Sequence, residues 1–275
     1  MAQMTSILRP VVCGVALSLA VMVVINCLPT HAEADELRYG RWDEWCPINC
    51  NYEVRGKYGL VTDILMAVVA DNGHTFQTVF VPEKRKYEAL AEDRTNIVTV
   101  TPSEAARLQN LIISEEPIMM LRRGVVKQKG SPRTYHTIED FESISMGINL
   151  WPGWPQFLQD HIDRAKKVGK AVELSGENIY ARGVEMVKRK RIDVFYGTLM
   201  SLKYYAKVSG FDDAVEIEHS RLQSEIPFYT AFHGDNPNAR AYAEMLSNGI
   251  RKLRKSGRLT EILEPYGLED WKAGN

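Results

Sequence analysis

The chain has 275 residues, a quarter of them charged, and a formal net charge of −1 at pH 7. This balance of 34 basic and 35 acidic side chains gives no electrostatic reason to expect binding to nucleic acid or to anionic membranes. A chain of this length buries a substantial core and commonly makes one large or two smaller domains.

The N-terminus has the pattern of a secretory signal peptide. Residues 1–10 contain one basic residue, Arg9, and no acid, and residues 11–25 carry no charge. That uncharged run is too short for a comfortable membrane span, and small residues follow it near position 32. We therefore predict a cleaved leader of residues 1–32 and a periplasmic mature chain that is not embedded in a membrane. An uncleaved anchor and a lipoprotein attached through Cys27 are the alternatives.

Two cysteines, Cys46 and Cys50, lie beyond this leader. In an oxidising compartment a pair at this spacing predicts a local disulfide. A metal site would need further Cys or His ligands nearby, and the mature chain has none within about twenty residues. We therefore expect a disulfide, no metal and no cofactor.

Beyond the leader, the hydrophobic pattern alternates between strands and helices. The predicted strands cover residues 36–41, 74–81, 96–101, 123–127, 145–149, 171–174 and 192–196. The predicted helices cover 60–72, 87–92, 138–141, 155–165, 179–188 and 199–207, followed by two terminal helices within 239–267. This alternation indicates an α/β fold with parallel pairing and right-handed crossovers.

Short motifs along this pattern resemble those of the bacterial extracellular solute-binding proteins of family 3, which serve ABC importers of polar amino acids. The most specific is C-terminal: one helix ends at Ser256-Gly257, and a second, short helix ends at Tyr266-Gly267. The other matching motifs are Leu37–Gly40 at the opening strand, Trp45–Pro47 in the pocket loop, Gly59–Asp63 at a helix start, Ser114–Pro117, and Ile192–Val194.

The resemblance implies a type II periplasmic-binding-protein fold, in which two α/β lobes are joined by two crossover strands. Lobe 1 would comprise residues 33–121 and 227–275, and lobe 2 residues 129–215. The crossovers would lie at 122–128 and 216–226. The ligand would occupy the cleft between the lobes, at the carboxyl ends of the strands.

The charged partners that the family uses for an α-amino acid are altered here. The family has an Arg three residues after the Thr that follows strand three, whereas this chain has Arg107 six residues after Thr101. Thr198 stands where the family's ammonium-binding Asp is expected, and Asp193 is expected to be structural. We therefore predict that the ligand is not a standard zwitterionic α-amino acid bound in the usual way.

Aromatic residues replace the missing charges at the predicted cleft. Trp45 follows the first strand, and Trp151 and Trp154 follow the first strand of lobe 2, so we expect Trp45 and Trp151 to face each other. Packing in a core is the alternative role for each of them. The full predicted set of ligand-binding residues is Trp45, Arg85, Tyr87, Thr101, Arg107, Trp151, Trp154, Tyr196 and Thr198.

These features predict a monomeric solute-binding protein that captures a small organic ligand by hinge closure and delivers it to an inner-membrane permease. The chain has no Ser-His-Asp spacing, zinc-protease motif or glycine-rich phosphate loop, so we expect no catalytic activity. The alternatives are a dehydratase-like periplasmic enzyme of the same fold and an accessory protein of a periplasmic redox enzyme with a partly filled cleft.

Overall fold

The computed structural model describes residues 34–42, 45–151, 154–176 and 178–272, so the predicted leader lies outside the described residues. All elements below belong to the unit Asp35–Asn275. In the part of the chain that the structure describes, no helix is both long enough and apolar enough to cross a membrane.

The described residues form a mixed series of strands and helices. The strands are β1 (Glu36–Arg41), β2 (Thr75–Phe80), β3 (Val98–Val100), β4 (Leu111–Ile113), β5 (Met119–Leu121), β6 (Arg123–Gln128), β7 (Met146–Asn149), β8 (Ala171–Leu174), β9 (Val194–Thr198), β10 (Val215–His219) and β11 (Ile226–His233). The α-helices are α1 (Tyr52–Arg55), α2 (Leu60–Asp71), α3 (Lys86–Ala91), α4 (Pro102–Ala105), α5 (Gln156–Lys167), α6 (Ile179–Lys188), α7 (Leu199–Val208), α8 (Ala239–Ser256) and α9 (Arg258–Leu263). Short 3-10 turns cover Glu83–Arg85, Glu139–Phe141 and Glu264–Tyr266.

The strands fall into two groups. A five-stranded sheet has the order β10-β6-β9-β7-β8, in which β7 is parallel to β8 and β9, and β6 is antiparallel to β9 and β10. The other group contains the parallel pair β1-β2 and the strand β11, which pairs antiparallel with β3, β4 and β5. The predicted parallel pairing therefore holds for β1 with β2 and for β7 with β8 and β9, but not for the other strand pairs named here. Those pairs are antiparallel, and each includes β6, β10 or β11, the strands next to the passages between the groups.

The chain passes between the two groups at two places. Arg122 separates β5 from β6, and residues 220–225 separate β10 from β11. The first segment predicted as a crossover, 122–128, thus consists largely of β6, whereas the second, 216–226, contains most of β10 and the link 220–225; β6 and β10 are strands of the five-stranded sheet. An alternating sequence pattern identifies a strand but not its partners, so sequence reasoning did not separate these strands from the links beside them.

Two long helices, α2 and α8, pack on the group of strands that contains β1, β2 and β11, and they form much of its core. Helix α8 buries one face through Leu246, Ile250 and Leu253, and this face packs against α2. At their contact, a Cβ added to Gly249 would lie only 2.2 Å from Cγ1 of Val68. A glycine at this position therefore permits the close approach of the two helices.

The C-terminal motif Tyr266-Gly267 is hydrogen-bonded to the start of α2. The hydroxyl of Tyr266 accepts a hydrogen bond from the backbone N–H of Gly59 at 3.1 Å and donates one to Oδ2 of Asp63 at 2.5 Å. Gly59 has φ +103°, and a Cβ there would lie 2.4 Å from the carbonyl oxygen of Ile48. The two motifs that are far apart in sequence therefore form one structural unit.

The predicted disulfide between Cys46 and Cys50 is present, with an S–S distance of 2.03 Å. Its loop is held on α2, because the N–H of Leu60 donates to the carbonyl of Pro47 at 2.9 Å. Both cysteines are completely buried, and they pack in a cluster that includes Tyr180 and Tyr205 of α6 and α7. The loop after β1 thus contacts the helices of the five-stranded sheet.

Candidate functional site

The structure contains a cavity of about 820 Å³ where loops from both groups of strands meet. One wall follows β3 and includes Thr101, Pro102, Ser103, Ala106 and Arg107, and the opposite wall follows β7 and includes Trp151, Trp154, Pro155 and Phe157. Residues 222–227, in and after the link between β10 and β11, close the third side. The cavity therefore lies beyond the carboxyl ends of strands from both groups, as is usual for ligand sites in α/β proteins.

A capping box shapes the wall after β3. Oγ1 of Thr101 accepts a hydrogen bond from the N–H of Glu104 at 3.2 Å, and Oε2 of Glu104 accepts one from the N–H of Thr101 at 2.8 Å. Oε1 of Glu104 also binds Nζ of the buried Lys86 at 2.8 Å. Burial alone would raise the pKa of Glu104, but Lys86 and the hydrogen bonds from Thr101 outweigh it, so the pKa is lowered. A stable carboxylate thus occupies the place where the family has its Arg.

Arg107 reaches the cavity one turn further along. Its side chain is exposed, and its Nε donates to the carbonyl oxygen of Ser103 at 3.0 Å. Among the described residues, no carboxylate forms an ion pair with it. Arg107 therefore presents a positive charge on the wall that follows β3.

The opposite wall is aromatic. The rings of Trp151 and Trp154 meet edge to face with centroids 5.0 Å apart. Nε1 of Trp154 donates to the carbonyl oxygen of Asn149 at 2.9 Å, which ties this ring to the end of β7. Trp154 is buried and Trp151 is partly exposed, so Trp151 offers the more accessible aromatic surface of the two.

A hydrogen-bonded chain runs behind this wall. Nη1 of the buried Arg123 donates to Oγ1 of Thr198 at 3.2 Å, and the hydroxyl of Tyr180 lies 3.0 Å from the same oxygen. The Tyr180 hydroxyl also accepts from Nε1 of Trp45 at 3.2 Å. This chain links the disulfide loop, α6, β9 and the start of β6.

The third side of the cavity is polar. Gln223 accepts a hydrogen bond from the hydroxyl of Tyr196 at 3.0 Å, and Glu225 pairs with Nε of Arg122 at 2.6 Å. The ring of Tyr196 packs on Trp154 with centroids 5.6 Å apart. Burial raises the pKa of Tyr196, so its hydroxyl stays protonated and able to donate.

The structure brings together some of the predicted site residues and separates others. Those that line the cavity are Thr101, Arg107, Trp151 and Trp154. Tyr196 and Thr198 lie directly behind it, as described above. Two predicted residues do not line the cavity. Arg85 is exposed in the 3-10 turn Glu83–Arg85, and the ring of Tyr87 in α3 contacts Nζ of Lys86.

Trp45 also lies away from the cavity, contrary to the expectation that it faces Trp151. Its ring meets Phe228 edge to face, with centroids 6.1 Å apart, and it packs against the buried clusters of both groups of strands. Trp151 has its ring contact with Trp154 instead. The loop after β1 turns toward α6 because its disulfide is buried there, which takes Trp45 out of the lining.

Thr198 stands where an Asp that binds a ligand ammonium was expected, and two other carboxylates, Asp193 and Glu115, are engaged in other contacts. Oδ2 of Asp193 accepts hydrogen bonds from the backbone and hydroxyl of Ser145, which confirms the expected structural role. Glu115 pairs with Arg251 on α8 at 3.0 Å. Neither residue lines the cavity.

Sequence reasoning missed Arg123 and the role of Glu104. Arg122 and Arg123 stand side by side in the run Met119–Val126, which is otherwise apolar, and on a strand two neighbouring side chains point to opposite faces, so one of the two is expected to be buried. Glu104 completes a Thr-x-x-Glu capping pattern after β3, which is a recognisable helix-start signal. Both signals were therefore present in the sequence.

Comparison with known proteins identifies the fold but not a family. No protein-family model matches the chain, and no curated protein matches it in sequence. Similar solved structures include the ancestral amino acid-binding protein AncCDT-1, a precursor of cyclohexadienyl dehydratase, with 18% identity, a TM-score of 0.62, and coverage of 84% of this chain and 95% of that one.

Two further structures have comparable likeness. The substrate-binding protein of an ABC uptake transporter from Streptococcus pneumoniae, solved with bound histidine, has 15% identity, a TM-score of 0.63, and coverage of 86% and 93%. A histidine kinase sensor domain with similarity to periplasmic binding proteins has 13% identity, a TM-score of 0.60, and coverage of 85% and 96%. The chain therefore has the two-lobed α/β fold of the periplasmic binding proteins.

Proposed function

We propose that this protein is a periplasmic solute-binding protein of the family 3 type, which captures a small organic molecule between its lobes for an ABC importer. The observation that carries the proposal is the cavity with Thr101 and Arg107 on one side and Trp151 and Trp154 on the other. A ligand that contacts both walls binds the closed arrangement better than an open one, and so selects closure. Several proteins of similar fold are amino acid-binding proteins of such transporters.

The proposed lobes follow the two groups of strands. Lobe 1 would contain residues 33–121 and 227–275, and lobe 2 residues 129–215. The predicted crossovers, 122–128 and 216–226, would add β6 and β10 to the sheet of lobe 2, with movement at Arg122 and at residues 220–225. These two links are the places where the chain leaves one group of strands for the other. We propose that the mature protein acts as a monomer and delivers its ligand to an inner-membrane permease.

A thermal-shift screen of the mature protein tests this function. The panel should contain amino acids, organic acids, amines and sugars. A compound present at about 100-fold over its dissociation constant stabilises the folded protein by roughly 2.7 kcal/mol, which gives a clear rise in Tm. A panel in which no class of compound raises the Tm contradicts the proposal. Recovery of the bound compound unchanged distinguishes binding from a dehydratase-like activity.

The buried disulfide loop favours a second candidate, an accessory protein of a periplasmic redox enzyme. In the structure, Cys46 and Cys50 pack against the side of α6 and α7, so part of the space between the proposed lobes is filled by the chain itself. An accessory role predicts copurification with a redox enzyme and an unchanged Tm across the panel. The remaining cavity makes ligand capture the better-supported function.

A further inference from the structure

Arg123 is a buried cation without an acidic partner among the described residues. Its side chain is almost inaccessible at 3% exposure, and its one hydrogen bond within the described chain goes to the neutral hydroxyl of Thr198. Nε of Arg123 is buried and donates no hydrogen bond to any of the described residues. A buried guanidinium that lacks a carboxylate and leaves a donor unused is expensive for a protein to maintain.

The groups that stabilise this cation are the aromatic residues of the cavity wall. The guanidinium carbon lies 4.9 Å from the ring centroid of Trp151 and 4.5 Å from that of Trp154. Cation–π contacts at these distances offset part of the cost of burying the charge. Since both rings line the cavity, Arg123 lies directly behind the wall that a ligand would contact.

The charges around the cavity favour an anion. Arg107 on the opposite wall has no ion pair within the described residues, and neither has Arg123. The carboxylate among the described lining residues is Glu225, and it is already paired with Arg122 at 2.6 Å. An anionic ligand thus meets two unpaired guanidinium groups, whereas a ligand ammonium would find no free carboxylate in the described lining.

We propose that Arg123 is the anion-binding residue of this cavity and that its ligand is a small organic acid with a planar or apolar body and no ammonium group. The carboxylate would accept the unused Nε–H of Arg123 and the body would stack on Trp151 and Trp154. In this proposal the partly exposed Trp151 turns aside when the ligand binds and lets the carboxylate reach the guanidinium. This inference rests on the proposed binding function and specifies its ligand class.

The test compares matched probes that differ in charge. Benzoate, phenylacetate and cinnamate are titrated calorimetrically into the full mature protein, each beside its neutral primary amide, together with the zwitterion L-phenylalanine. We expect at least one carboxylate to bind about tenfold or more tightly than its own amide and than L-phenylalanine. An amide or L-phenylalanine that binds as tightly as the best carboxylate overturns the inference.

Variants test whether Arg123 causes the preference for a carboxylate over its amide. Arg123→Met should abolish the preference for the carboxylate over its amide, and Arg123→Lys should keep part of it. The matched control is Arg94→Met, which should leave the preference unchanged, because Arg94 is exposed, pairs with Glu92 and does not line the cavity. A preference that survives Arg123→Met overturns the inference. If Arg123→Met fails to fold, the probe comparison on the native protein and on Arg123→Lys decides the question.

The outcomes also separate this inference from the proposed function. Tight binding of a neutral or zwitterionic compound, with a change in Trp fluorescence, contradicts the anion site but supports ligand capture. Absence of binding by these probes and by every class in the thermal-shift panel contradicts both.

Discussion

At the scale of single residues, the aromatic wall is where sequence and structure agree best. Trp151 and Trp154 follow a buried strand in a loop rich in proline and glycine, and both line the cavity. Trp45 has the same kind of surroundings in sequence but is turned away, because the position of its loop depends on the burial of a disulfide against α6. Contacts between segments distant in sequence decide such cases, and no local pattern reports them.

Replacing Trp151 by Ala should weaken binding of any compound that raises the Tm in the screen. Loss of this aromatic surface should cost about 1–3 kcal/mol of binding free energy. Trp151 is already partly exposed, so the free energy of unfolding without compound should change less. Isothermal titration calorimetry and urea unfolding measure the two quantities.

The matched control is Trp271→Ala, because Trp271 packs near Arg254 on α8, away from the cavity. That variant should bind the compound as the native protein does. If Trp151→Ala unfolds the protein while leaving the affinity intact, Trp151 is a packing residue and not a ligand-binding one.

At the scale of elements, the predicted strands and helices mostly match the structure to within a few residues. The elements missed are short or depend on their neighbours: α1 and α4 have four residues each, β4 and β5 have three each, and the longer β11 pairs with β3, β4 and β5. Strand β10 carries an alternating pattern but lies at the edge of its sheet, where pairing with β6 creates it. The links between motifs, such as that between Tyr266 and α2, likewise appear only in three dimensions.

Tyr266→Phe should destabilise the protein. The variant leaves the N–H of Gly59 without its acceptor and Asp63 without its donor, and unsatisfied buried groups of this kind cost about 1–3 kcal/mol. Urea unfolding followed by circular dichroism measures the loss. Tyr52→Phe, on an exposed ring, is the control and should change the free energy of unfolding by less than about 0.5 kcal/mol. Equal stability of both variants would show that the Tyr266 hydroxyl contributes nothing.

The same link predicts a pH dependence. Burial raises the pKa of Asp63 above 3.8, and the Tyr266 hydroxyl and Lys57 offset only part of that rise. The folded state therefore holds the proton more tightly than the unfolded state, so this carboxyl lowers the free energy of unfolding as pH rises from 3.8 through its raised pKa.

Asp63→Asn cannot titrate and isolates this contribution. The free energy of unfolding of the native protein, relative to that of the variant, should fall as pH rises from about 4 toward neutrality and then become constant. Urea unfolding of both proteins across that range gives the difference directly. A difference that is flat, or that grows with pH, would contradict the raised pKa of Asp63.

At the scale of the whole molecule, the proposed lobes already touch on one side through the disulfide loop. Trp45 packs with Phe228 of β11 and donates to Tyr180 of α6, while the cavity lies between the wall with Thr101 and Arg107 and the wall with Trp151 and Trp154. The alternation of strands and helices predicted an α/β fold, because it reflects local chain geometry, whereas the two-lobed arrangement was implied by the family resemblance. Which loops fill the space between the lobes follows from long-range packing, which the sequence pattern does not encode.

The proposed periplasmic location predicts how the chain is processed and whether its disulfide is closed. A protein exported through its leader should have a mature N-terminus near Glu33 and a closed Cys46–Cys50 disulfide, because the periplasm is oxidising. Intact-mass measurement of periplasmic material, with and without thiol alkylation, checks both. A mass that retains residues 1–32 excludes cleavage of the leader, and alkylation without prior reduction excludes the disulfide.

The central claim, capture of a small molecule between two lobes, is tested most directly by hydrogen–deuterium exchange with and without the compound that raises the Tm most. Exchange reports opening of backbone hydrogen bonds, so a ligand that contacts both walls should slow it on both at once. We predict protection in peptides that cover residues 101–107, 151–157 and 222–227, with little change in α8. Protection confined to one wall, or found only away from these segments, would contradict the account.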